Sequence, residues 1–358
     1  MTTIAHFDIE LIRYLDPQGE VAQPLPAFAT DAHDLIPMYR AMALTRAFDA
    51  KAVALQRTGR LGTYASALGQ EAVGVGLAAA MAPDDILLPS FREQAAQLWR
   101  GVGMVDILLY WGGDEQGLSS PHFGHDFPNC VPVGSQAPHA AGVGLAIKLK
   151  GEKRAAVVVF GDGATSKGDV YEAMNLGGLW HLPVVFVVVN NGWAISVPRT
   201  GQTAAETLAQ KAVAAGFIGE QVDGNDVVAV RQAMAEALEA ARAGQGPRLI
   251  EALTYRLTDH TTADDASRYR ADTEVSAHWA EDPLLRLRRH LERQGAWDKG
   301  DEEAMRAELA AAVDAAAAQY LATPPQPAAS IFDHLYAAPP AELLRQRAAM
   351  LAEGGDHG

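Results

Sequence analysis

Gly161-Asp162-Gly163-Ala164-Thr165-Ser166-Lys167-Gly168-Asp169 decides how this chain is read, together with Asn190-Asn191 downstream. The first stretch follows Ala155-Ala156-Val157-Val158-Val159-Phe160, and the Asn pair follows Val184-Val185-Phe186-Val187-Val188-Val189. Both runs are continuously apolar and rich in β-branched residues, as expected of strands buried on both faces of a parallel sheet. The segment from Asp169 to His181 is long enough for a crossover helix. A Gly-rich turn and an Asn pair therefore sit at the C-terminal ends of two strands, where open α/β sheets bind ligands. Asp162 and Asn191 each offer a hard oxygen, and the glycines expose backbone N–H groups. This is equipment for holding a divalent cation and a diphosphate.

The stretch is not a P-loop, because Lys167 follows Ser166 rather than Gly. Nor is it Gly-x-Gly-x-x-Gly, because Ser166 holds the last position. Both departures disfavour ATPase and nicotinamide or flavin readings.

Outside the centre, the alternation of strands and helices predicts a doubly wound α/β fold with a mostly parallel sheet. Residues 1–34 are Pro-punctuated and read as an arm over the body. The α/β domain is expected over 35–280, and a helical C-terminal extension and tail over 281–358. Helical periodicity covers Leu35 to Arg57, the Ala- and Gly-rich run after Gly69-Gln70-Glu71-Ala72, and Ala204 to Ala215. Ile86 to Arg92 reads as a strand entering a turn, with a helix opening at Arg92. Gly112 to Pro132 reads as a long functional loop, and Arg248 to Arg256 as a strand. Thr258 to Ser267 is a polar loop, and His139 and His181 fall in helical contexts.

The chain has 358 residues, 49% hydrophobic and 20% charged, which supports a large core and excludes wholesale disorder. Its net charge of −15 opposes nucleic-acid or anionic-membrane partners, which need a basic surface. One cysteine, Cys130, permits no internal disulfide and reads as a small buried packing residue in a reducing compartment. No apolar run approaches the roughly 18 residues of a membrane span. Asp8, Glu10, Asp16 and Glu20 do not suit a signal or transit peptide, so a cytoplasmic location is expected.

The central stretch resembles the thiamine diphosphate-binding motif. Over roughly residues 35–345 the chain is similar to the alpha subunit of the decarboxylating first component of 2-oxo acid dehydrogenase complexes. Beyond the central unit, the likeness rests on Gly69-Gln70-Glu71-Ala72, Asn191-Gly192-Trp193-Ala194-Ile195-Ser196, Val222-Asp223-Gly224-Asn225-Asp226 and Glu251-Ala252-Leu253-Thr254-Tyr255-Arg256. Gln202-Thr203-Ala204-Ala205, His260-Thr261-Thr262-Ala263-Asp264-Asp265 and Arg268-Tyr269-Arg270 complete it.

This resemblance implies thiamine diphosphate-dependent oxidative decarboxylation of a 2-oxo acid and reductive acylation of a lipoyl group. It implies Mg²⁺ held by Asp162, Asn191 and the backbone carbonyl of Trp193. Gly163 and Ala164 would offer amides to the diphosphate at a helix start, and Arg92 would pair with its oxygens. Phe91 stands where the family commonly has Tyr, so it supplies only apolar wall. Val131 and Val133 would lie against the cofactor rings, with Val133 propping the bent conformation. Ser135 and Gln136 match positions that bind structural K⁺ in some relatives. His260 would orient the cofactor and assist acyl transfer. A further cofactor-side His is His122, His125 or neither. The loop around Thr261, Thr262 and Ser267 matches one phosphorylated in animal relatives, but no kinase is expected to act here.

The carboxylate that starts the chemistry comes, in such enzymes, from a beta subunit. The chain is therefore expected to be inactive alone and to form a heterotetramer with that subunit, delivering acyl groups to a lipoyl acyltransferase. Pyruvate is the favoured substrate; branched-chain 2-oxo acids and acetoin are the alternatives. A noncatalytic scaffold of the same fold is the reading from another class, opposed by intact Asp162, Asn191, Arg92 and His260.

Overall fold

The computed structural model describes residues 1–119, 121–333 and 335–352. Its strands are β1 (Leu11–Ile12), β2 (Ile86–Leu88), β3 (Ala156–Gly161), β4 (Val184–Asn190), β5 (Trp193–Ala194), β6 (Val197–Pro198), β7 (Ile218–Asp223) and β8 (Arg248–Leu253). The helices are α1 (Ile36–Arg57), α2 (Glu71–Ala80), α3 (Gln94–Trp99), α4 (Met104–Gly112), α5 (Gln136–Lys150) and α6 (Gly168–Leu179). They continue as α7 (Gln210–Ala214), α8 (Val227–Arg242), α9 (Asp272–His278), α10 (Pro283–Arg293), α11 (Lys299–Ala322) and α12 (Ala341–Ala352).

Six strands form one sheet in the order β1-β7-β8-β4-β3-β2, and every neighbouring pair is parallel. The two apolar runs are its centre, β3 beside β4. Because strand side chains alternate between faces, Val158, Phe160, Val184, Phe186 and Val188 pack on one side with residues of α5 and α6. Val157, Val159, Val185, Val187 and Val189 pack on the other with residues of α2 and α8. Both faces are thus covered, which is why these strands are apolar throughout. A third cluster joins α1, α10 and α11 over α2.

The arm does more than lie over the body: β1 pairs with β7 and extends the sheet edge. Asp226 ties it down. This N-cap of α8 accepts from Val228 at 3.0 Å and from the backbone N–H groups of Tyr14 and Leu15, both at 2.7 Å.

Several boundaries differ from the sequence reading. Ala204–Ala209 is not helical; only Gln210–Ala214 is. The backbone at 204–209 is drawn instead to Glu251, whose carboxylate accepts from Leu208 and Ala209 N–H at 2.7 and 2.9 Å. The strand expected to reach Arg256 stops at Leu253, where the backbone crosses the ends of β4: Thr254 and Arg256 N–H donate to the carbonyls of Asn190 and Asn191. His181 lies in a turn past α6 with φ of +46°, not in a helix. Among the described residues no helix is long and apolar enough to cross a membrane.

Candidate functional site

At the C-terminal ends of β3 and β4 lies a cavity of about 430 Å³. Its wall includes Phe91, Arg92, Val131, Val133, Asp162, Gly163, Ala164, Asn191, Trp193 and His260. The fold thus gathers around one space the positions that the resemblance assigns to Mg²⁺ and thiamine diphosphate, and Gln136 with them, whereas Ser135 is not part of the wall. His125 is exposed and outside that wall, and the side chain of His122 lies outside the described residues.

Asp162 follows β3 directly and begins a short 3₁₀ turn, Asp162–Ser166. The expected helix start at Gly163 and Ala164 is this tighter turn; α6 begins only at Gly168. The Asp162 carboxyl is buried, and among the described residues its only side-chain hydrogen-bond partner is Gln202 Nε2 at 3.5 Å. Burial pushes its pKa up to about 6, opposed chiefly by backbone N–H groups of Gly163 and Asp162 itself. Among the described residues no cationic side chain lies within salt-bridge distance of it, and the Arg256 charge only moderates its pKa. Asn191, also buried, follows β4; its Oδ1 accepts from Trp193 N–H at 3.3 Å.

The turn after Asn191 is strained. Gly192 has φ of +85°, and Ile195, β-branched, has φ of +56°, a cost tolerated where surrounding contacts over-determine the backbone. Arg256 supplies those contacts. Almost wholly buried, it donates to the Trp193 carbonyl at 3.2 Å and the Ile195 carbonyl at 2.7 Å. A carbonyl oxygen has two lone pairs, so Trp193 can serve Arg256 and a cation together.

Two glycines shape the cradle. A Cβ on Gly163 would lie 2.5 Å from Ala194 Cβ, so β5 approaches this turn as closely as a glycine allows. A Cβ on Gly161 would meet no protein atom within 4 Å; it would project into open space at the cavity wall. A buried acid with no salt-bridge partner among the described residues, an amide oxygen, a backbone carbonyl and a glycine-lined space fit a hard divalent cation with a diphosphate. No group of three or more His, Cys, Asp or Glu able to hold a metal occurs among the described residues. The remaining coordination positions suit oxygens of a ligand.

Arg92 is buried, not engaged in a surface ion pair. Its Nη1 donates to the Ser66 carbonyl at 2.8 Å, and its Nη2 meets His260 Nδ1 at 3.0 Å and the His260 carbonyl. Burial, then Arg256, lowers its pKa to about 10, which leaves it charged at neutral pH. Phe91 stands edge-on to His260, with ring centroids 5.9 Å apart. Burial holds the His260 imidazole down to about pKa 4, and the charges of Arg92 and Arg256 add to the effect. Asp264 accepts from the His260 backbone N–H at 2.9 Å and fixes the loop.

Several wall residues carry no site role in the sequence reading. Gln70 and Arg256 sit inside matched motifs, yet nothing in the motif assigned them a contact. Glu93 follows Arg92, is buried, and has its carboxyl raised to about pKa 7 by desolvation. Cys130 is half-buried and lines the cavity rather than filling a core position; the loop carrying it is anchored by its N–H to the Ser90 carbonyl at 2.7 Å. Gln136 also lines the wall: its Nε2 donates to the Val159 carbonyl at 2.9 Å, and its Oε1 is buried without a partner among the described residues.

The family described as "Dehydrogenase E1 component" matches residues 39–329 of the chain. A pyruvate dehydrogenase E1 component subunit alpha of Staphylococcus epidermidis is 38% identical over 339 residues, 94% of this chain and 91% of that protein. The protein of the same description from Staphylococcus aureus shows the same identity and coverage, 38% over 339 residues.

Proposed function

The chain belongs to the dehydrogenase E1 component family, and from that premise we propose that it is the alpha subunit of a pyruvate dehydrogenase. Its activity would be oxidative decarboxylation of pyruvate with transfer of the acetyl group to a lipoyl acyltransferase. The observation that carries this reading is the meeting of Asp162, Asn191, Trp193, Arg92 and His260 around one cavity at the ends of β3 and β4.

Thiamine diphosphate, when bound, supplies the nucleophilic carbon and the electron sink that let a 2-oxo acid lose CO₂. The chain's residues bind and orient it. Asp162, Asn191 and the Trp193 carbonyl would hold Mg²⁺, which would tie the diphosphate to this end of the sheet. The amides of Gly163 and Ala164 and the Arg92 charge receive the diphosphate. Phe91, Val131 and Val133 would give the rings an apolar wall; Val131 and Val133 are about half exposed in this chain alone. His260 presents an N–H at the mouth for the acyl-transfer step. The unpartnered Gln136 Oε1 supports a structural K⁺ near Ser135 and Gln136.

No carboxylate of this chain is assigned to starting the chemistry; that group belongs to a beta subunit, with which the chain forms a heterotetramer. One free cysteine suits a reducing cytoplasm. Purification with and without the beta subunit tests the reading. The isolated chain should release no CO₂ from pyruvate, and the assembled enzyme should do so and acetylate a lipoyl domain. Decarboxylation by the isolated chain would overturn it.

A further inference from the structure

We propose that Gln70 is a positioning residue of the cation site: it fixes the carboxamide of Asn191 so that Oδ1 is the atom presented to the metal. The inference rests on the reading of Asp162, Asn191 and Trp193 as the cation's protein ligands.

An asparagine amide has two nearly isosteric ends, and only its neighbours decide which faces a ligand. Here two contacts choose the same orientation. Asn191 Nδ2 donates to Gln70 Oε1 at 3.4 Å, and Asn191 Oδ1 accepts from the Trp193 backbone N–H at 3.3 Å. Turned over, the amide would set its NH₂ against the Trp193 N–H and its oxygen against the Gln70 oxygen. With Gln70 as it stands, both contacts would then be repulsive, and the one with the Trp193 backbone N–H would be so whichever way Gln70 is turned. A cation needs the oxygen end. The acceptor on Gln70 therefore keeps Asn191 competent as a ligand, as outer-shell partners do at metal sites.

The backbone that carries Gln70 is pinned. Gln70 is buried and stands at the N-cap position of α2, with no side-chain bond to the helix. The preceding Gly69 has φ of +88°, and a Cβ there would lie 2.7 Å from the Tyr255 carbonyl. Thr254 Oγ1 donates to the Gly69 carbonyl at 2.6 Å. The N-terminus of α2 is thereby pinned to the segment after β8, which also lines the Asn190–Asn191 turn. A glutamine retained for packing would have both ends of its amide satisfied. Gln70 Nε2 is buried with no partner among the described residues, the kind of exception that calls for a functional explanation.

The test uses the assembled heterotetramer stripped of cofactor, with Mn²⁺ as probe and thiamine diphosphate at a fixed concentration. Free and bound Mn²⁺ are read by electron paramagnetic resonance, so turnover is not required. Gln70→Met, similar in shape but without the acceptor, should weaken Mn²⁺ binding by about tenfold or more. Gln70→Glu keeps an acceptor for Asn191 Nδ2 and should stay within about threefold of the parent on the same argument. If Gln70→Met does not assemble, Gln70→Asn, one methylene too short to reach, should show the same loss. Mn²⁺ affinity unchanged in Gln70→Met or Gln70→Asn, while Asp162→Ala abolishes it, would overturn the positioning role alone. Affinity unchanged in Asp162→Ala would overturn the cation site itself.

Discussion

Nη2 of Arg92 faces Nδ1 of His260 at 3.0 Å, and Nη1 of Arg256 faces the same ring nitrogen at 3.3 Å. A guanidinium only donates, so Nδ1 must accept and the imidazole proton must sit on Nε2. Two neighbouring cations also make a second proton unwelcome. His260 is therefore a fixed, neutral donor rather than a proton reservoir near neutral pH.

That arrangement has a pH signature. With its pKa held near 4 against an ordinary 6.5, His260 should not titrate between pH 5.5 and 8 in histidine-detected NMR of the assembled enzyme. Its folded pKa is depressed, so the unfolded chain binds the proton more readily. The His260 contribution to stability is then constant above about pH 6.5 and declines as pH falls from there towards 4. Arg92→Met removes one repelling charge and should raise the His260 pKa. An unchanged value would show that the Arg92 charge does not contribute, leaving burial and Arg256 to set it.

The two cradle glycines should respond in opposite ways to alanine. Gly161 has φ of −78° and ψ of 168°, ordinary for any residue. Gly161→Ala should fold with stability unchanged or raised by up to about 1 kcal/mol in urea titration, while its methyl intrudes on ligand space and weakens thiamine diphosphate binding. Gly163→Ala should lose stability as well, because its Cβ collides with Ala194. Equal effects of the two on stability would contradict this geometry.

Arg286 is fully buried and holds the arm to the helical end of the chain. Its Nη1 donates to Asp223 at 2.7 Å and to the Leu15 carbonyl at 3.3 Å, and Asp223 also accepts from Arg13 at 2.7 Å. Arg286→Met should cost about 3 kcal/mol, because it leaves a buried carboxylate with one half-exposed partner. The urea midpoint reads this directly, and an unchanged slope would show that the cost is one of stability.

The centre of the fold was legible because β3 and β4 are buried on both faces and leave no polar position to interrupt their pattern. Asp162 and Asn191 were legible for the same reason: Asp162 is the first polar residue after one such run, and Asn191 belongs to the Asn pair that closes the other. Arg256 was not. In sequence it looks like the end of a strand, and its burial depends on the carbonyls of Trp193 and Ile195, far away in the chain. Gln70 was hidden likewise, since its contact with Asn191 crosses from α2 to the end of β4. The edge strand β1 is only two residues long, too short for any period to show. Cys130 followed the usual preference of cysteine for cores, but its loop is anchored at the cavity wall.

The central claim is that Asp162 and Asn191 hold a divalent cation and, through it, thiamine diphosphate. The most direct measurement is a titration of Mg²⁺–thiamine diphosphate into the assembled, cofactor-free heterotetramer, followed by intrinsic tryptophan fluorescence and by melting temperature. The parent should bind and be stabilised, and Asp162→Ala and Asn191→Ala should each lose more than about tenfold in affinity while remaining assembled. Undiminished binding by both variants would contradict the account.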